Sequence, residues 1–237
     1  MQVLAVASQK GGSGKTTLSG HIAVQAEASG YGPVALIDAD PQGSLTDWWN
    51  EREADEPLFV QTTVAKLDRD LDELKRLGIK LLIIDTPPAI TSTIGHVIDV
   101  ADLVLIPTRP SPHDLRAAGA TVELVERLSK PMVFVINGAS PRARITTEAA
   151  IALSQYGPVA PSLVHQRVDF AASMIDGRTV MELTGKSRSK GEIAELWEFL
   201  NRRLSGTALK PMQSVRPTKQ PLANGRAEIT EVHQRAS

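Results

Sequence analysis

The sequence contains no cysteine among its 237 residues. Disulfide bonds, iron–sulfur clusters held by thiolates and cysteine nucleophiles are therefore excluded. No stretch approaches 18 consecutive apolar residues, so no membrane-spanning helix is predicted. Neither charge is in excess, with 26 Lys and Arg against 27 Asp and Glu. A polyanionic partner would have to be met by a local basic patch, and the expectation is a soluble, cytoplasmic protein.

Short apolar runs rich in β-formers alternate with amphipathic segments of helical length. The runs are continuously apolar rather than alternating, which is typical of parallel strands covered on both faces. The pattern predicts the α/β class, with a single doubly wound, mostly parallel sheet and helices on both faces. Strands are predicted at residues 2–7, 33–37, 58–63, 80–84, 103–107 and 132–136. Helices are predicted at residues 16–29, 66–77, 114–128, 146–155, 168–174 and 190–204.

The character of the chain changes at residue 205. Residues 205–237 contain three prolines, few large apolar side chains, and five basic against two acidic residues. Such a composition cannot bury enough apolar surface to offset the entropy of ordering. The sequence therefore predicts one domain over residues 1–204 and a disordered tail over residues 205–237.

The segment SQKGGSGKTT, residues 8–17, lies between a predicted buried strand and a predicted helix. In a phosphate-binding loop at this place, glycines let backbone N–H groups surround an anion, and the helix N-terminus adds positive potential. Lys15 is expected to contact the β- and γ-phosphates, and Thr16 to coordinate Mg²⁺. The usual loop has a glycine where Gln9 stands, and a second lysine, Lys10, is present here. The predicted nucleotide-binding residues of this segment are Lys10, Gly11, Gly12, Ser13, Gly14, Lys15, Thr16 and Thr17.

Two further segments carry carboxylates at the ends of predicted strands. LIDADPQGS, residues 36–44, holds Asp38 and Asp40, and LLIIDTPP, residues 81–88, ends its apolar run in Asp85. The second segment has the form of a Walker B strand, whose aspartate holds Mg²⁺. In the first segment, one carboxylate could hold a Mg²⁺-bound water and the other could orient an attacking water, or the segment could be a structural turn. The predicted metal ligands are Thr16, Asp38 and Asp85.

The motifs KGGSGKTT, IDADPQGS and IDTPP together resemble the deviant Walker A ATPases of the ParA/MinD group, a branch of the P-loop NTPases. They look most like the short ParA proteins that position plasmids, chromosomes or protein complexes, and the resemblance covers roughly residues 1–204. It implies that Lys10 reaches across an ATP-sandwiched homodimer to the partner's phosphates, where its charge would act as an arginine finger does. It also implies that Asp40 orients the attacking water. The predicted catalytic residues are Lys10, Lys15 and Asp40.

Residues and segments that the sequence lacks argue against several branches of this group. The iron–sulfur and arsenite-pump branches need cysteines, which the sequence lacks. MinD-like proteins end in an amphipathic membrane helix, whereas residues 205–237 show no apolar face at helical spacing, so no membrane contact is expected. Two alternatives stay open: a biosynthetic ATP-dependent enzyme of the dethiobiotin synthetase-like fold, and a MinD-like membrane-associated regulator.

Members of the ParA branch bind DNA without sequence preference as ATP dimers, which needs only basic side chains facing phosphates. The segment around Arg167 resembles one in which a loop arginine precedes a helix, so Arg167 is the first candidate for a DNA contact. Asn137 ends a predicted strand and is expected to read the adenine edge, as the equivalent asparagine does in relatives; the alternative is that it caps the next turn. The remaining DNA-binding candidates are Lys186, Arg188 and Lys190.

The sequence thus predicts a Mg²⁺-dependent ATPase of the ParA type, with ATP and Mg²⁺ as cofactors. ATP is expected to close a homodimer that binds nucleoid DNA nonspecifically, which would make the cytoplasmic protein nucleoid-associated. A cargo-linked activating protein of the ParB type is expected to stimulate hydrolysis and release the dimer from DNA. Intrinsic turnover should be slow, because the partner completes the geometry that orients the water.

Overall fold

A parallel sheet forms the centre of the computed structural model, which describes residues 1–89 and 92–206. Within these residues the sheet has seven strands in the order β3-β2-β4-β1-β5-β6-β7. The strands are β1 (Gln2–Val6), β2 (Val34–Asp38), β3 (Leu58–Phe59), β4 (Leu81–Asp85), β5 (Leu103–Thr108), β6 (Met132–Ala139) and β7 (Val164–His165). In the register, Val6 and Asp38 both pair with Asp85, so the carboxyl ends of β1, β2 and β4 meet at one edge.

Eight α-helices cover the two faces of the sheet within the described residues. They are α1 (Lys15–Ala28), α2 (Ser44–Asn50), α3 (Leu67–Arg76), α4 (Ser92–Val100), α5 (Pro112–Arg127), α6 (Arg144–Ser154), α7 (Val168–Ser173) and α8 (Arg188–Leu204). Short 3₁₀ turns occur at Val64–Lys66 and Met174–Asp176. Helices α3 to α6 bury their apolar sides on one face, and α1, α2, α7 and α8 do so on the other.

The two cores explain why the strands are continuously apolar. Successive side chains of a strand point to opposite faces, so in β1 Val3 and Ala5 enter one core, whereas Leu4 and Val6 enter the other. With helices on both faces, no strand position needs a polar side chain for solvent. The predicted doubly wound α/β fold is confirmed.

Three elements were not predicted: α2, α4 and β7. Helix α2 has seven residues, and its first turn is bonded to Asp38, a residue outside the helix. Strand β7 has two residues, too few to show a pattern. The predicted strand at residues 58–63 is shortened to Leu58–Phe59. Residues 207–237, most of the predicted tail, lie outside the described residues.

Candidate nucleotide site

The glycine-rich loop between β1 and α1 is held by bonds at both ends. The Ala7 N–H donates to the Leu105 carbonyl at 2.9 Å, and the Leu18 N–H donates to the Gly14 carbonyl at 2.9 Å, which closes the first turn of α1. Gly14 has φ 97°, and a β-carbon there would lie 2.0 Å from Asn137 Nδ2. Glycine is therefore required at this position both by the left-handed backbone and by the close approach of Asn137.

Lys15, the first residue of α1, points into the site and is 6% exposed. Burial lowers the pKa of its ammonium group, while the nearby charges of Asp85 and Asp40 oppose this shift. A cation that is poorly solvated and flanked by carboxylates is well placed to exchange them for an anionic ligand. The arrangement suits the terminal phosphates of a nucleotide.

Asp85 is buried at the end of β4 beside Thr16. The Thr16 hydroxyl donates to Asp85 Oδ2 at 2.6 Å, and Asp85 Oδ1 is buried without a hydrogen-bond partner among the described residues. Burial raises the pKa of Asp85 to about 7, and the Thr16 bond acts in the opposite direction. An unpartnered carboxylate oxygen next to a hydroxyl fits a hard divalent cation such as Mg²⁺, which uses few protein ligands together with phosphate oxygens.

Asp38 and Asp40 have different surroundings. Asp38 Oδ2 accepts the Thr46 N–H at 2.9 Å, the Thr46 hydroxyl at 3.0 Å and the Leu45 N–H at 3.0 Å, while Oδ1 accepts the Asp40 N–H at 3.0 Å. Asp38 thus anchors the start of α2 and the turn that carries Asp40. The Asp40 carboxylate accepts only the Gln42 N–H, at 3.0 Å, among the described contacts, and Asp40 borders a cavity of about 300 Å³. Direct metal coordination by Asp38 remains a prediction.

The second lysine of the loop lies outside this buried cluster. Lys10 Nζ is 2.6 Å from Asp114 Oδ2 on α5, and the lysine side chain is 39% exposed. Burial of Asp114 favours its neutral form, but the bonds from Lys10 and Ser111 outweigh this and lower its pKa. Lys10 therefore forms an ion pair within its own chain, and any reach towards a second subunit requires that pair to open.

A pocket of about 180 Å³ adjoins the loop on the side of β6. Asn137 lies on its wall, and its Nδ2 donates to the Ser13 carbonyl at 2.7 Å. The predicted adenine contact and the phosphate loop are therefore neighbours in space, and the pocket has room for part of a planar base. Its other lining residues include Gly14, Thr17, His165, Arg167 and Phe170.

Arg167, the first candidate for a DNA contact, lies on the wall of this same pocket. Its guanidinium donates to Glu192 Oε1 at 2.6 Å, and this bond raises its pKa. The two residues form an ion pair that is largely buried. Distance in sequence from the nucleotide motifs thus does not mean separation in space. The DNA contact itself stays a prediction, but a substitution at Arg167 would also disturb the pocket.

The other predicted DNA contacts lie at the start of α8. Lys186 and Arg188 are exposed, whereas the Lys190 ammonium donates to the Leu183 carbonyl and is half-buried. Ser189 Oγ donates to Asp169 Oδ2 at 3.0 Å, which places this turn against α7. Lys186 and Arg188 therefore present free charge to solvent near the pocket wall.

Sequence reasoning missed two residues of this region, His21 and Glu192. Glu192 accepts from the Arg167 guanidinium and from the His165 N–H, the latter at 3.0 Å. His21 lies fully buried in α1 behind the loop. The available signal for His21 was an imidazole at an apolar position of a helix, which more often marks packing than function.

Two kinds of feature are absent from the part of the chain that the structure describes. Across the described residues, no helix combines the length and apolarity needed to cross a bilayer. Within the same residues, no group of three or more acidic or histidine side chains could bind a metal ion by itself. A cation at Thr16 and Asp85 would therefore need further ligands from a nucleotide or from water.

Comparison with known proteins gives the following matches. The profile of the CobQ/CobB/MinD/ParA nucleotide-binding domain matches residues 4–180. The chain is 34% identical over 212 residues to maintenance of carboxysome distribution protein A of Halothiobacillus neapolitanus, covering 84% of this chain and 94% of that protein. It is 27% identical over 198 residues to Protein ParA of Rhizobium radiobacter, covering 78% and 88% of the two chains. Its fold is similar to that of a Cyanothece McdA variant in complex with ATP, with TM-score 0.68, 20% identity, and 86% and 96% of the two chains covered. The profile match spans both the phosphate loop and the pocket wall at Phe170.

Proposed function

The chain belongs to the CobQ/CobB/MinD/ParA nucleotide-binding family, and from this premise we propose that it is a Mg²⁺-dependent ATPase of the ParA type. The observation that carries the proposal is the pair of lysines on one glycine loop. Lys15 is buried beside Asp85 and Asp40, whereas Lys10 is partly exposed and paired outside that cluster. Two cations in such different surroundings suit two tasks, one within the subunit and one beyond it.

Within the subunit, Lys15 and the N–H groups of the loop bind the β- and γ-phosphates. Thr16 and Asp85 would hold Mg²⁺, which neutralises phosphate charge when bound. Asp38 holds the turn between β2 and α2, and that turn aims Asp40 at the attacking water. Asp40 suits this task because few bonds restrain its carboxylate.

Beyond the subunit, Lys10 leaves Asp114 and reaches the nucleotide of a second copy when ATP is bound. Lys10 can exchange Asp114 for ATP because the lysine is partly exposed and because the phosphates of ATP carry more negative charge than one carboxylate. Nucleotide binding and dimer formation are thereby linked, since the phosphates replace Asp114 as the partner of the lysine.

The dimer binds DNA through exposed basic side chains, of which Lys186 and Arg188 are the best placed. A cargo-linked protein stimulates hydrolysis and returns the protein to the free state. The similarity to a carboxysome distribution protein favours a protein assembly as the cargo, and the similarity to a ParA protein keeps a plasmid or chromosome as the alternative. Acting in this way, the protein works in the cytoplasm, on the nucleoid.

The test is retention of the protein on duplex DNA as a function of salt, with ATP and with ADP. The parent should bind only with ATP, and the log–log salt slope should be about −0.9 per neutralised phosphate. The variant carrying Lys186→Glu and Arg188→Glu should bind weakly to all sequences and flatten the slope, because phosphate contacts carry no base information. The control variant carries Arg76→Glu and Arg127→Glu, exposed residues at the ends of α3 and α5, and should bind like the parent.

Three outcomes would redirect the assignment. Equal binding with ADP, or binding insensitive to salt, would remove DNA from the mechanism. Turnover that is stimulated by a small acid substrate and unaffected by DNA would favour the biosynthetic alternative. Co-sedimentation with liposomes only in the presence of ATP would favour a MinD-like regulator.

A further inference from the structure

His21 is a fully buried polar side chain of α1 that the proposed chemistry does not use. Both of its ring nitrogens are bonded: Nδ1 lies 2.7 Å from the Thr17 carbonyl, and Nε2 lies 3.2 Å from the Val180 nitrogen. The backbone N–H of Val180 can only donate, so Nε2 is the acceptor and the proton is on Nδ1. Burial keeps the ring neutral, because it lowers the pKa of His21 to about 4.

The imidazole also contacts the wall of the pocket beside the loop, which is the proposed site of the nucleotide base and is called the base pocket below. Its ring meets Phe170 edge-on, with centroids 5.2 Å apart and planes inclined by 62°. Phe170 and Thr17 line the same pocket from opposite elements, α7 and α1. His21 therefore touches both sides of the pocket, and it does so from behind.

The segment that carries Phe170 depends on such inward contacts for its placement. On its outer side Val168 is 81% exposed and Ile175 is 78% exposed. Among the inward bonds, Trp48 Nε1 donates to the Arg178 carbonyl at 3.1 Å, which fixes the far end of the segment to α2. The bond from Val180 to His21 and the contact of His21 with Phe170 join the segment directly to the phosphate-loop helix.

We propose that His21 is a positioning residue for the nucleotide base. It sets the separation between the phosphate-loop helix and the wall formed by Phe170, and so the width of the pocket between them. The inference rests on the proposed binding of ATP, and it deepens that proposal by assigning base affinity to a residue that does not touch the nucleotide.

If His21 acts in this way, its loss should weaken the binding of the base and leave the binding of the phosphates unchanged. Among the described residues, His21 bonds to the Thr17 carbonyl and the Val180 N–H and not to the loop N–H groups or Lys15. Tripolyphosphate with Mg²⁺ should therefore bind equally well with or without the imidazole. ATP should bind about tenfold more weakly once the bridge is broken, which is the effect expected for the loss of one buried hydrogen bond and its packing.

Two substitutions separate the bonds of the ring. In His21→Gln the side-chain oxygen can still accept from Val180, so ATP affinity should stay near that of the parent. In His21→Asn the amide can still donate to Thr17 but is too short to reach Val180 and Phe170, so ATP affinity should fall. The control is Ser19→Ala, which removes a buried hydroxyl of α1 that donates only to the Lys15 carbonyl of the same helix, at 3.0 Å. This variant should bind ATP like the parent.

The experiment measures the dissociation constants of ATP and of tripolyphosphate for the parent and the three variants, with Mg²⁺ present. Phe170→Leu is measured as well, because it leaves both hydrogen bonds of His21 intact and should weaken ATP alone, even if His21→Asn fails to fold. Equal loss for ATP and tripolyphosphate, or unchanged ATP affinity in a folded His21→Asn, would overturn the inference. If His21→Asn does not fold, unchanged ATP affinity in Phe170→Leu would overturn it. A parent that binds neither ligand would overturn the proposed function itself. If the parent binds both ligands but the folded His21→Asn variant does not lose ATP affinity selectively, only the role of His21 is overturned.

Discussion

Acid pH should act on two buried groups of this protein in opposite directions. His21 has a pKa of about 4 in the folded protein because of burial, against 6.5 in the unfolded chain. Folding favours the neutral form of His21. The stabilisation that follows is complete well above pH 6.5 and is lost as the pH falls towards 4. A difference of this size corresponds to about 3 kcal/mol, of which about 2 kcal/mol is lost by pH 5.

Protonation of Asp85 changes the free energy of unfolding in the opposite direction. Burial raises its pKa to about 7 from 3.8, so the folded protein takes up a proton that the unfolded chain leaves in solution. The free energy of unfolding therefore rises as the pH falls from 7 towards 3.8, by about 3 kcal/mol at pH 5. In the parent the two changes largely cancel, and stability should vary little between pH 7.5 and pH 5.

The assay is urea unfolding at pH 7.5 and at pH 5 for the parent, His21→Gln and Asp85→Asn, with EDTA and without nucleotide. His21→Gln should become more stable at pH 5 by about 3 kcal/mol, because Asp85 then titrates unopposed. Asp85→Asn should lose about 2 kcal/mol over the same interval, because only His21 remains. If His21→Gln and the parent show the same change with pH, the assignment of His21 as a buried neutral imidazole is wrong. A change in the slope of unfolding with urea would instead indicate an altered unfolded state.

Two further predictions concern the proposed ATPase cycle. Lys15→Ala should lose ATP binding, whereas Lys10→Ala should bind ATP as a monomer and fail to dimerise. Equilibrium binding and light scattering with a nonhydrolysable ATP analogue check this contrast, and normal dimerisation of Lys10→Ala would refute the role in trans. Asp40→Ala should bind ATP and dimerise but release phosphate at least about 100-fold more slowly, as expected for the loss of a group that positions the reacting water. Loss of ATP binding in this variant would assign Asp40 to metal binding or structure instead of catalysis.

The sheet and its long helices were predictable because their signals are local and repeated. Continuous apolar runs predicted the parallel strands β1 to β6, and segments of helical length predicted α1, α3, α5, α6, α7 and α8. Helix α2 was missed because its start depends on Asp38, which lies seven residues before Leu45 and bonds to the first turn from the end of β2. A short helix stabilised by a residue outside it shows little pattern of its own.

The residues of the candidate site likewise differ in whether the sequence alone could reveal them. The phosphate loop was visible because ten consecutive residues carry its chemistry. Arg167 was predicted only as a DNA contact, yet it shares a pocket wall with Asn137 and is paired with Glu192. Glu192 lies 25 residues further along the chain, on α8, and no spacing rule relates the two positions.

The sequence by itself determined the fold class, the phosphate loop and the carboxylates at the strand ends. These follow from local backbone preference and from the rule that parallel strands bring their carboxyl ends to one edge. Only the tertiary structure decided which groups face one another: Thr16 and Asp85 are 69 residues apart, Lys10 and Asp114 are 104 apart, and His21 and Val180 are 159 apart. The charge state, the hydrogen-bond partner and the reach of each side chain depend on burial and on neighbours, and both are properties of the packed chain.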